Sequence, residues 1–393
     1  MSRKNKNRPQ QAGDRADEPA PAGGGLRVVL KVLFAAILTL AACEWVCRAL
    51  FKKNIEELKF SRSDLYYYYD RAGYRHNMPN TVGYERMWND QGRAEFRINS
   101  FGFRGPEIPA EKPAGTTRIF FLGDSITLGG RLPEDVTFVS RVGKALSAAR
   151  STRYEVVNAG VGDVGLYEEE DTLKNQGLKV QPDVIVLCWY LNDARPPVGF
   201  PEEVVYDNLL IRWFNDHPIF EKSYLAGFVY DTVRKSLVAK HLYRDRRFDW
   251  ASAYMAGKWA VDPNEFVNVV RLARYDWGDA WNEKSMKWME EKIRGLKELA
   301  EAKGIRFVVV AMPVHAQVYA RFQSPIVGQP QDDLAAFAGK NGIKLLNLLP
   351  LLRPAAAKEK LFYDNCHYTP RGNEVVAGFI LDFLRRTGAV SPQ

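Results

Sequence analysis

The stretch Asp183–Tyr190, DVIVLCWY, is the feature that most constrains the fold of this 393-residue chain. It is apolar along almost its whole length, which is typical of a strand buried on both faces. Strand patterns at Arg118–Leu122 and Tyr154–Asn158 come before it, and a pattern with helical spacing follows each of them. Strands that alternate with helices predict a parallel sheet covered by helices on both faces.

The alternation continues towards the end of the chain, with strands predicted at Ile305–Pro313 and Lys344–Leu348. Helices are predicted at Phe138–Ala149, Tyr167–Gln176, Ser285–Lys303, Asp332–Asn341 and Asn373–Arg386. We therefore expect residues 117–393 to form a three-layer α/β/α domain of flavodoxin-like type. Residues 195–284 are expected to be an insertion of mostly helical character.

A nearly continuous apolar run, Val28–Phe51, precedes this domain. As a helix rising about 1.5 Å per residue it is long enough to cross a bilayer. The run is interrupted by Lys31, Glu44 and Arg48, and the last two can pair one helical turn apart. We predict a single transmembrane anchor over residues 26–51.

Two other interpretations of the apolar run remain open. The sequence Leu40–Cys43 matches a lipoprotein cleavage site, and a cleaved secretory signal also fits. Each of the three places the C-terminal domain outside the cytoplasm, so we expect a single-pass inner-membrane protein with a periplasmic catalytic domain. Residues 1–25 are expected to be a disordered cytoplasmic tail, and residues 52–116 a strand-and-loop extension.

The net charge of +8 does not by itself indicate a partner. Its positive residues are scattered or lie beside the apolar run, so we do not expect a nucleic-acid partner. The four cysteines are Cys43, Cys47, Cys188 and Cys366, and none has the spacing of a metal site. We expect neither a metal nor a cofactor.

The first predicted strand ends in FLGDSITLGG, which places Ser125 at the mouth of a helix. Free backbone N–H groups at a helix N-terminus favour a developing oxyanion, so Ser125 is a candidate nucleophile. The alternative is that Asp124 or Ser125 only caps the helix.

The next two strand ends carry groups that suit an oxyanion hole. Gly160 and Gly162 in VVNAGVGDVG allow close approach of the backbone to a ligand, and the side-chain amide of Asn192 in WYLND can donate a hydrogen bond. An ordinary turn or helix cap would also explain each of them. The carboxyl ends of parallel strands meet at one edge of a sheet, so these groups are expected to converge with Ser125.

The fourth motif is FYDNCHYTPRGN near the C-terminus. In a tight turn Asp364 can reach the ring of His367, which fixes the tautomer and leaves the other ring nitrogen to accept a proton from a serine. The pair could instead be a fragment of a metal site, but no third ligand motif stands out. The other histidines of the chain are isolated and are expected to be structural or on the surface.

Serine, glycine, Asn192 and a C-terminal Asp364–His367 pair, each after a successive strand, resemble the SGNH/GDSL hydrolase family over residues 117–386. The resemblance implies a triad in which Ser125 is the nucleophile, His367 is the base and Asp364 orients the histidine. It also implies the three-layer fold of that family.

The resemblance further implies an oxyanion hole formed by Ser125, by Gly160 or Gly162, and by Asn192. This sequence departs from the family near its second block, where the glycine normally lies five residues after an asparagine and here is Asp163. Both glycines therefore stay candidates. The upstream stretch Ile98–Glu107 is similar to a membrane-anchored, extracytoplasmic subgroup associated with acylated cell-surface polysaccharides.

These features predict an ester hydrolase that acts outside the cytoplasm through an acyl-enzyme on Ser125. The expected substrates are O-acyl esters, such as acetyl esters, of a glycan or a lipid. The alternatives are an O-acyltransferase for an extracellular polysaccharide and an inactive glycan-binding module. Trp250 and Arg247 are candidate substrate-binding residues, because aromatic and cationic groups in the insertion suit anionic glycans, and Asp124, next to Ser125, is a further candidate. A helical subdomain with tryptophans in its core would explain the same pattern.

Overall fold

The computed structural model describes residues 24–60, 67–69, 74–148, 153–194, 209–210, 213, 217, 222–242 and 248–391. Apart from its last two residues, the tail expected at residues 1–25 lies outside the described part of the chain, as does much of the insertion before residue 222.

The strands and helices, numbered in chain order, have the following bounds. The strands are β1 (Tyr67–Tyr69), β2 (Arg75–Asn77), β3 (Thr81–Arg86), β4 (Arg93–Ile98), β5 (Thr116–Gly123), β6 (Arg153–Gly160), β7 (Val184–Tyr190), β8 (Arg306–Met312) and β9 (Lys344–Asn347). The helices are α1 (Gly24–Phe60), α2 (Ser125–Leu128), α3 (Phe138–Ser147), α4 (Leu166–Asn175), α5 (Tyr224–Leu242), α6 (Ala251–Met255), α7 (Pro263–Leu272), α8 (Glu283–Glu301), α9 (His315–Tyr319), α10 (Pro325–Lys340), α11 (Leu349–Ala356) and α12 (Pro370–Arg386).

Strands β5 to β9 form one five-stranded sheet in the order β6-β5-β7-β8-β9, and every neighbouring pair is parallel. Numbered along the chain this order is 2-1-3-4-5, which is the flavodoxin-like arrangement. All seven residues of β7 are buried, as its continuous apolar sequence predicts. The predicted α/β fold with a parallel sheet is confirmed.

Helices cover the sheet on both faces. Helices α3 and α12 pack together on one face, and α4, α8 and α10 pack on the other. Helix α10 begins at Pro325, before the predicted start, and contains Pro330. A proline has no N–H to donate to the carbonyl one turn earlier, here that of Ile326. This carbonyl instead accepts a hydrogen bond from Trp281 Nε1 at 2.7 Å. The proline is therefore accommodated inside the helix.

The order in which the chain adds strands to the sheet changes side at β5. From β5 the chain crosses to β6 on one side, and it then returns to β7 on the other side of β5. In open parallel sheets a ligand site forms beyond the carboxyl ends of the strands at such a switch point. Ser125 follows β5 and Asn192 follows β7, so both lie at this point.

The extension is attached to the segment around α2 by Arg104, which lies just after the β3–β4 hairpin. Its backbone N–H donates to Asn158 O at 2.9 Å, on the edge strand β6. Its buried guanidinium donates to the carbonyls of Leu128, Gly129 and Leu132, just after α2. The Arg104 side chain thus holds the chain that leaves α2.

Helix α1 contains the stretch Gly25–Lys52, which is long and apolar enough to cross a membrane and which also resembles a signal sequence. Glu44 does not bond Arg48 in the predicted pair. Its carboxylate instead accepts hydrogen bonds at the start of α5, from Ser223 Oγ at 2.7 Å and from the backbone N–H groups of Tyr224 at 2.8 Å and Leu225 at 2.9 Å. A carboxylate at a helix N-terminus satisfies donors that lack partners inside the helix, so it outcompetes the local pair.

Replacing Glu44 with alanine is expected to loosen the start of α5, because three hydrogen bonds to one carboxylate are lost together. Removal of the Ser223 hydroxyl, which also accepts from Ala226 N–H, should cost about 1 kcal/mol of helix stability. Hydrogen exchange of the α5 amides measures both effects. Ser236→Ala on the same helix is the control, since this exposed hydroxyl donates to Thr232 O, away from the start of the helix. Equal exchange in Glu44→Ala and in the control would show that the carboxylate does not hold the helix.

Candidate active site

Ser125 lies two residues beyond the end of β5, as the first residue of the short helix α2. Asp124 caps this helix, since its side chain accepts a hydrogen bond from Ile126 N–H at 2.8 Å. The alternative of a capping role therefore applies to Asp124 and not to Ser125. The backbone N–H of Ser125 has no acceptor inside the helix, because the first N–H groups of any helix lack one.

The Asp364–His367 turn is a narrow loop closed by a bridge between Phe362 and Tyr368. The buried rings of these two residues anchor both ends of the loop in the core. Inside it, Asp364 Oδ1 accepts hydrogen bonds from the backbone N–H groups of Cys366 at 2.9 Å and of His367 at 2.7 Å. The turn therefore fixes the carboxylate before it meets the imidazole.

One chain of hydrogen bonds connects the two ends of the domain. His367 Nδ1 lies 2.7 Å from Asp364 Oδ2, and His367 Nε2 lies 2.9 Å from Ser125 Oγ. An ionised carboxylate only accepts hydrogen bonds, so the proton of a neutral imidazole belongs on Nδ1. Nε2 is then placed to accept the hydroxyl proton of Ser125.

The charges of the pair shift both pKa values. Burial disfavours the imidazolium of His367, but the carboxylate of Asp364 and its hydrogen bond outweigh this effect and raise the pKa of His367. Burial likewise opposes ionisation of Asp364, but His367 and the backbone N–H donors outweigh it and lower the pKa of the carboxyl group. Asp364 is thereby kept as the acceptor that the histidine needs.

Asp364, Cys366 and His367 also form the cluster of potential metal ligands found within the described part of the chain. Burial, with the nearby charge of Asp364, raises the pKa of the Cys366 thiol well above its usual range, so the thiolate that binds metals is disfavoured. Both ring nitrogens of His367 already take part in hydrogen bonds. The cluster fits a proton relay better than a metal centre.

The second block is packed tightly beneath the nucleophile helix. A Cβ atom on Gly160 would lie 2.1 Å from Leu128 N, so only glycine fits there. The N–H of Gly160 donates to Asn158 Oδ1 at 3.0 Å, whereas the N–H of Gly162 donates to no acceptor among the described residues. Asp163, at the position of the glycine expected from the resemblance, has φ of +60°, a conformation that glycine adopts without strain.

Asn192 lies in the turn after β7 and is almost fully buried. This turn is closed by Asp193, whose carboxylate accepts from Tyr190 N–H at 3.0 Å and whose backbone carbonyl accepts from Leu166 N–H at 3.2 Å. The side-chain amide of Asn192 makes no hydrogen bond to a described residue, and its Oδ1 atom is buried without a partner. Its donor capacity is thus left unused by the described part of the chain.

The candidate substrate-binding residues are not supported in the same way. Asp124 is 1% exposed and caps α2, so it lies under the site. Trp250 is 6% exposed and packs edge-to-face on Trp277, and its indole N–H bonds Asp276 at 3.2 Å. Neither side chain offers much surface to a substrate, and the tryptophans 250, 259 and 277 belong to the core. Arg247 lies outside the described residues.

Three residues beside the triad were not predicted from the sequence. The ring of Tyr363 stacks on His367 at 5.6 Å between centroids, and its hydroxyl donates to Gly130 O at 3.2 Å. Trp88 of the β3–β4 hairpin lies 6.1 Å from the Tyr363 ring, and the Arg131 guanidinium lies over the same ring at 5.8 Å. The extension therefore reaches the side of His367 through an aromatic stack.

The insertion reaches the catalytic loop from another side. His315, just after β8, donates its backbone N–H to Asn365 O at 2.9 Å. Its Nδ1 shares a hydrogen bond of 2.9 Å with the hydroxyl of Tyr254 on α6, and burial lowers the pKa of the ring to about 4. This neutral histidine, expected from the sequence to be isolated, connects the insertion to the Asp364–His367 turn.

No family model matches this sequence, and no curated protein is significantly similar to it. Solved structures with a similar fold include an acetyl xylan esterase, AlAXEase (TM-score 0.39, 14% identity, over 67% of this chain and 98% of that one). A lipase/acylhydrolase from Enterococcus faecalis has a TM-score of 0.40 and 12% sequence identity, over 70% of this chain and 98% of that one. A member of the lipolytic protein G-D-S-L family from Veillonella parvula has a TM-score of 0.38 and 13% sequence identity, over 69% of this chain and 99% of that one. Because these TM-scores are below 0.5, the likeness does not bear on the activity or the substrate.

The shifted pKa of His367 can be measured by NMR titration of its ring. In the wild-type protein we expect a value above the ordinary one of about 6.5. Asp364→Asn should lower it, because the amide carries no negative charge to stabilise the imidazolium. An unchanged His367 titration in the variant would contradict the hydrogen-bonded pair.

Proposed function

We propose that this chain is a serine-dependent ester hydrolase whose nucleophile is Ser125. The observation that supports this most strongly is the unbroken chain of hydrogen bonds from Ser125 Oγ through His367 to Asp364, with distances of 2.9 and 2.7 Å. A serine hydroxyl is a weak nucleophile unless an adjacent base removes its proton. This arrangement supplies the base, fixes its tautomer and stabilises the imidazolium that forms.

In the first step Ser125 Oγ attacks the carbonyl carbon of the ester while His367 Nε2 takes the hydroxyl proton. The tetrahedral intermediate collapses when the alkoxide of the substrate leaves, and it takes the proton from His367 as it does so. The acyl group remains on Ser125 as an ester. In the second step a water molecule, deprotonated by His367, attacks this ester and releases the carboxylic acid.

The negative charge that develops on the carbonyl oxygen needs donors that are already in place. We assign this role to the backbone N–H groups of Ser125 and Gly162 and to the side-chain amide of Asn192. Gly160 instead allows the close packing beneath α2, since its own N–H is bonded to Asn158. Unused donors at the ends of β5, β6 and β7 support this assignment.

The substrates that we propose are O-acyl esters, such as acetyl esters, of a glycan outside the cytoplasm. Partly exposed aromatic rings flank the catalytic loop: Trp88 beside Tyr363 on one side, and Tyr254 beside His315 on the other. Aromatic faces of this kind suit sugar rings. The apolar stretch of α1 supports a location at the membrane.

Ser125→Ala should abolish covalent labelling by a fluorophosphonate and lower the turnover of an activated acetyl ester by several orders of magnitude, because one member of a cooperative triad is lost. The thermal unfolding temperature should hardly change, since Asp124 provides the helix cap. Ser147→Ala, an exposed serine on α3, is the matched control and should label and turn over as the wild-type protein does. Turnover that survives Ser125→Ala would rule out this nucleophile.

Asn192→Ala tests the oxyanion hole separately from the nucleophile. The loss of one donor of three should reduce kcat by roughly a hundredfold or more and leave KM nearly unchanged, because the donor acts mainly on the charge of the transition state. Labelling of Ser125 should slow but persist. A variant with wild-type kcat would remove Asn192 from the proposed hole.

A further inference from the structure

The buried carboxyl group of Glu169 interacts with two residues next to proposed oxyanion donors, Asp193 beside Asn192 and Asp124 beside Ser125. It lies in the first turn of α4 and is 1% exposed. Both of its carboxyl oxygens are buried and accept no hydrogen bond from any described N–H or O–H group. An ionised carboxylate in such a place would carry the full cost of its lost hydration.

The electrostatic neighbours of Glu169 are also acidic. They are Asp193 in the turn after β7, Asp124 at the cap of α2, and Glu168 on its own helix. The thiol of Cys188 on β7 interacts with the same carboxyl groups of Glu169, Asp124 and Asp193. Since Cys188 lies opposite Gly123 in the sheet, these groups share a small volume beneath the carboxyl ends of β5 and β7. No cationic group is among these neighbours.

Three carboxyl groups in one buried volume cannot all be ionised at low cost. Asp124 accepts a hydrogen bond from Ile126 N–H, and Asp193 accepts one from Tyr190 N–H; each of these bonds favours the ionised form. Glu169 receives no such bond, so protonation costs less free energy at Glu169 than at either aspartate. Burial, together with the charges of Asp193 and Asp124, raises the pKa of Glu169 well above its ordinary value.

We propose that Glu169 is a neutral carboxylic acid whose single O–H donates one hydrogen bond shared between the carboxylates of Asp193 and Asp124, and that this shared bond sets the relative positions of the Asn192 and Ser125 loops. It acts through these two aspartates and touches no reacting atom, so it is a positioning residue. Its helix is already attached to the Asn192 turn, because Leu166 N–H donates to Asp193 O at 3.2 Å. This role rests on the proposed hydrolase function, whereas the protonation state of Glu169 does not.

Infrared spectroscopy at neutral pH tests the protonation state without reference to activity. The difference spectrum between the wild-type protein and Glu169→Gln should contain the carbonyl stretch of a protonated carboxylic acid. The matched control is Glu168→Gln, the adjacent buried residue whose carboxylate accepts from Gly165 N–H at 3.2 Å; its difference spectrum should show an ionised carboxylate. A carboxylate band in the Glu169 spectrum would overturn the proposal even if the protein is an active esterase.

The positioning role is tested by comparing two replacements of Glu169. Glutamine keeps a donor for the aspartates and should hold kcat for an activated ester close to that of the wild-type protein. Leucine keeps the volume without the donor and should lower kcat by on the order of tenfold or more, with a smaller change in KM. At alkaline pH the wild-type enzyme should lose activity as Glu169 ionises, and Glu169→Gln should not. Thermal unfolding checks that each variant is folded.

Two results would contradict the positioning role. If Glu169→Gln is as impaired as a folded Glu169→Leu, then the negative charge and not the donor is needed. If Glu169→Leu is fully active, then the carboxyl group is not needed at all. If no variant and no wild-type sample hydrolyses any ester, the hydrolase proposal fails, and the infrared result still decides whether Glu169 carries a proton.

Discussion

All five strands of the central sheet run in one direction, so each delivers its carboxyl end to the same edge. This constraint places Ser125, Gly162 and Asn192 within one small region, although they lie far apart in the sequence. The chain adds β6 on one side of β5 and then β7 on the other, and this change of side opens a space there that loops on both sides can enter. His367 arrives in that space on the loop that precedes the last helix and closes the site.

The two additions to the sheet domain support the site from opposite sides. In the extension, Arg104 binds the carbonyls that follow the nucleophile helix, and Trp88 reaches the aromatic ring that stacks on His367. In the insertion, Tyr254 reaches His315, whose backbone binds the catalytic turn. Neither addition supplies a triad residue. Both fix the loops on which the hydrogen-bonded relay depends.

The sequence was informative where a local pattern has one physical cause. The apolar run of β7 and the close spacing of Asp364 and His367 each determine their structure through short-range chemistry, and the strands lie within two residues of their expected bounds. The predictions differed from the structure where contacts between residues far apart in the sequence determine the conformation. Glu44 bonds a helix start about 180 residues away, and an indole from the insertion satisfies the carbonyl that Pro330 leaves open. The composition of the insertion fitted both a glycan surface and a helical subdomain with a tryptophan core, and the burial of Trp250 places it in the core.

The central claim is that the acyl group of the substrate is transferred to Ser125. Incubation with an activated acetyl ester, rapid quenching in acid, and peptide mass spectrometry measure this directly. The account predicts an acetyl group on the peptide that contains Ser125, with the modified fraction rising before steady-state turnover. Ester hydrolysis accompanied by an acetyl group on another residue, such as Cys366, or by no acyl-enzyme under any quench condition, would contradict it.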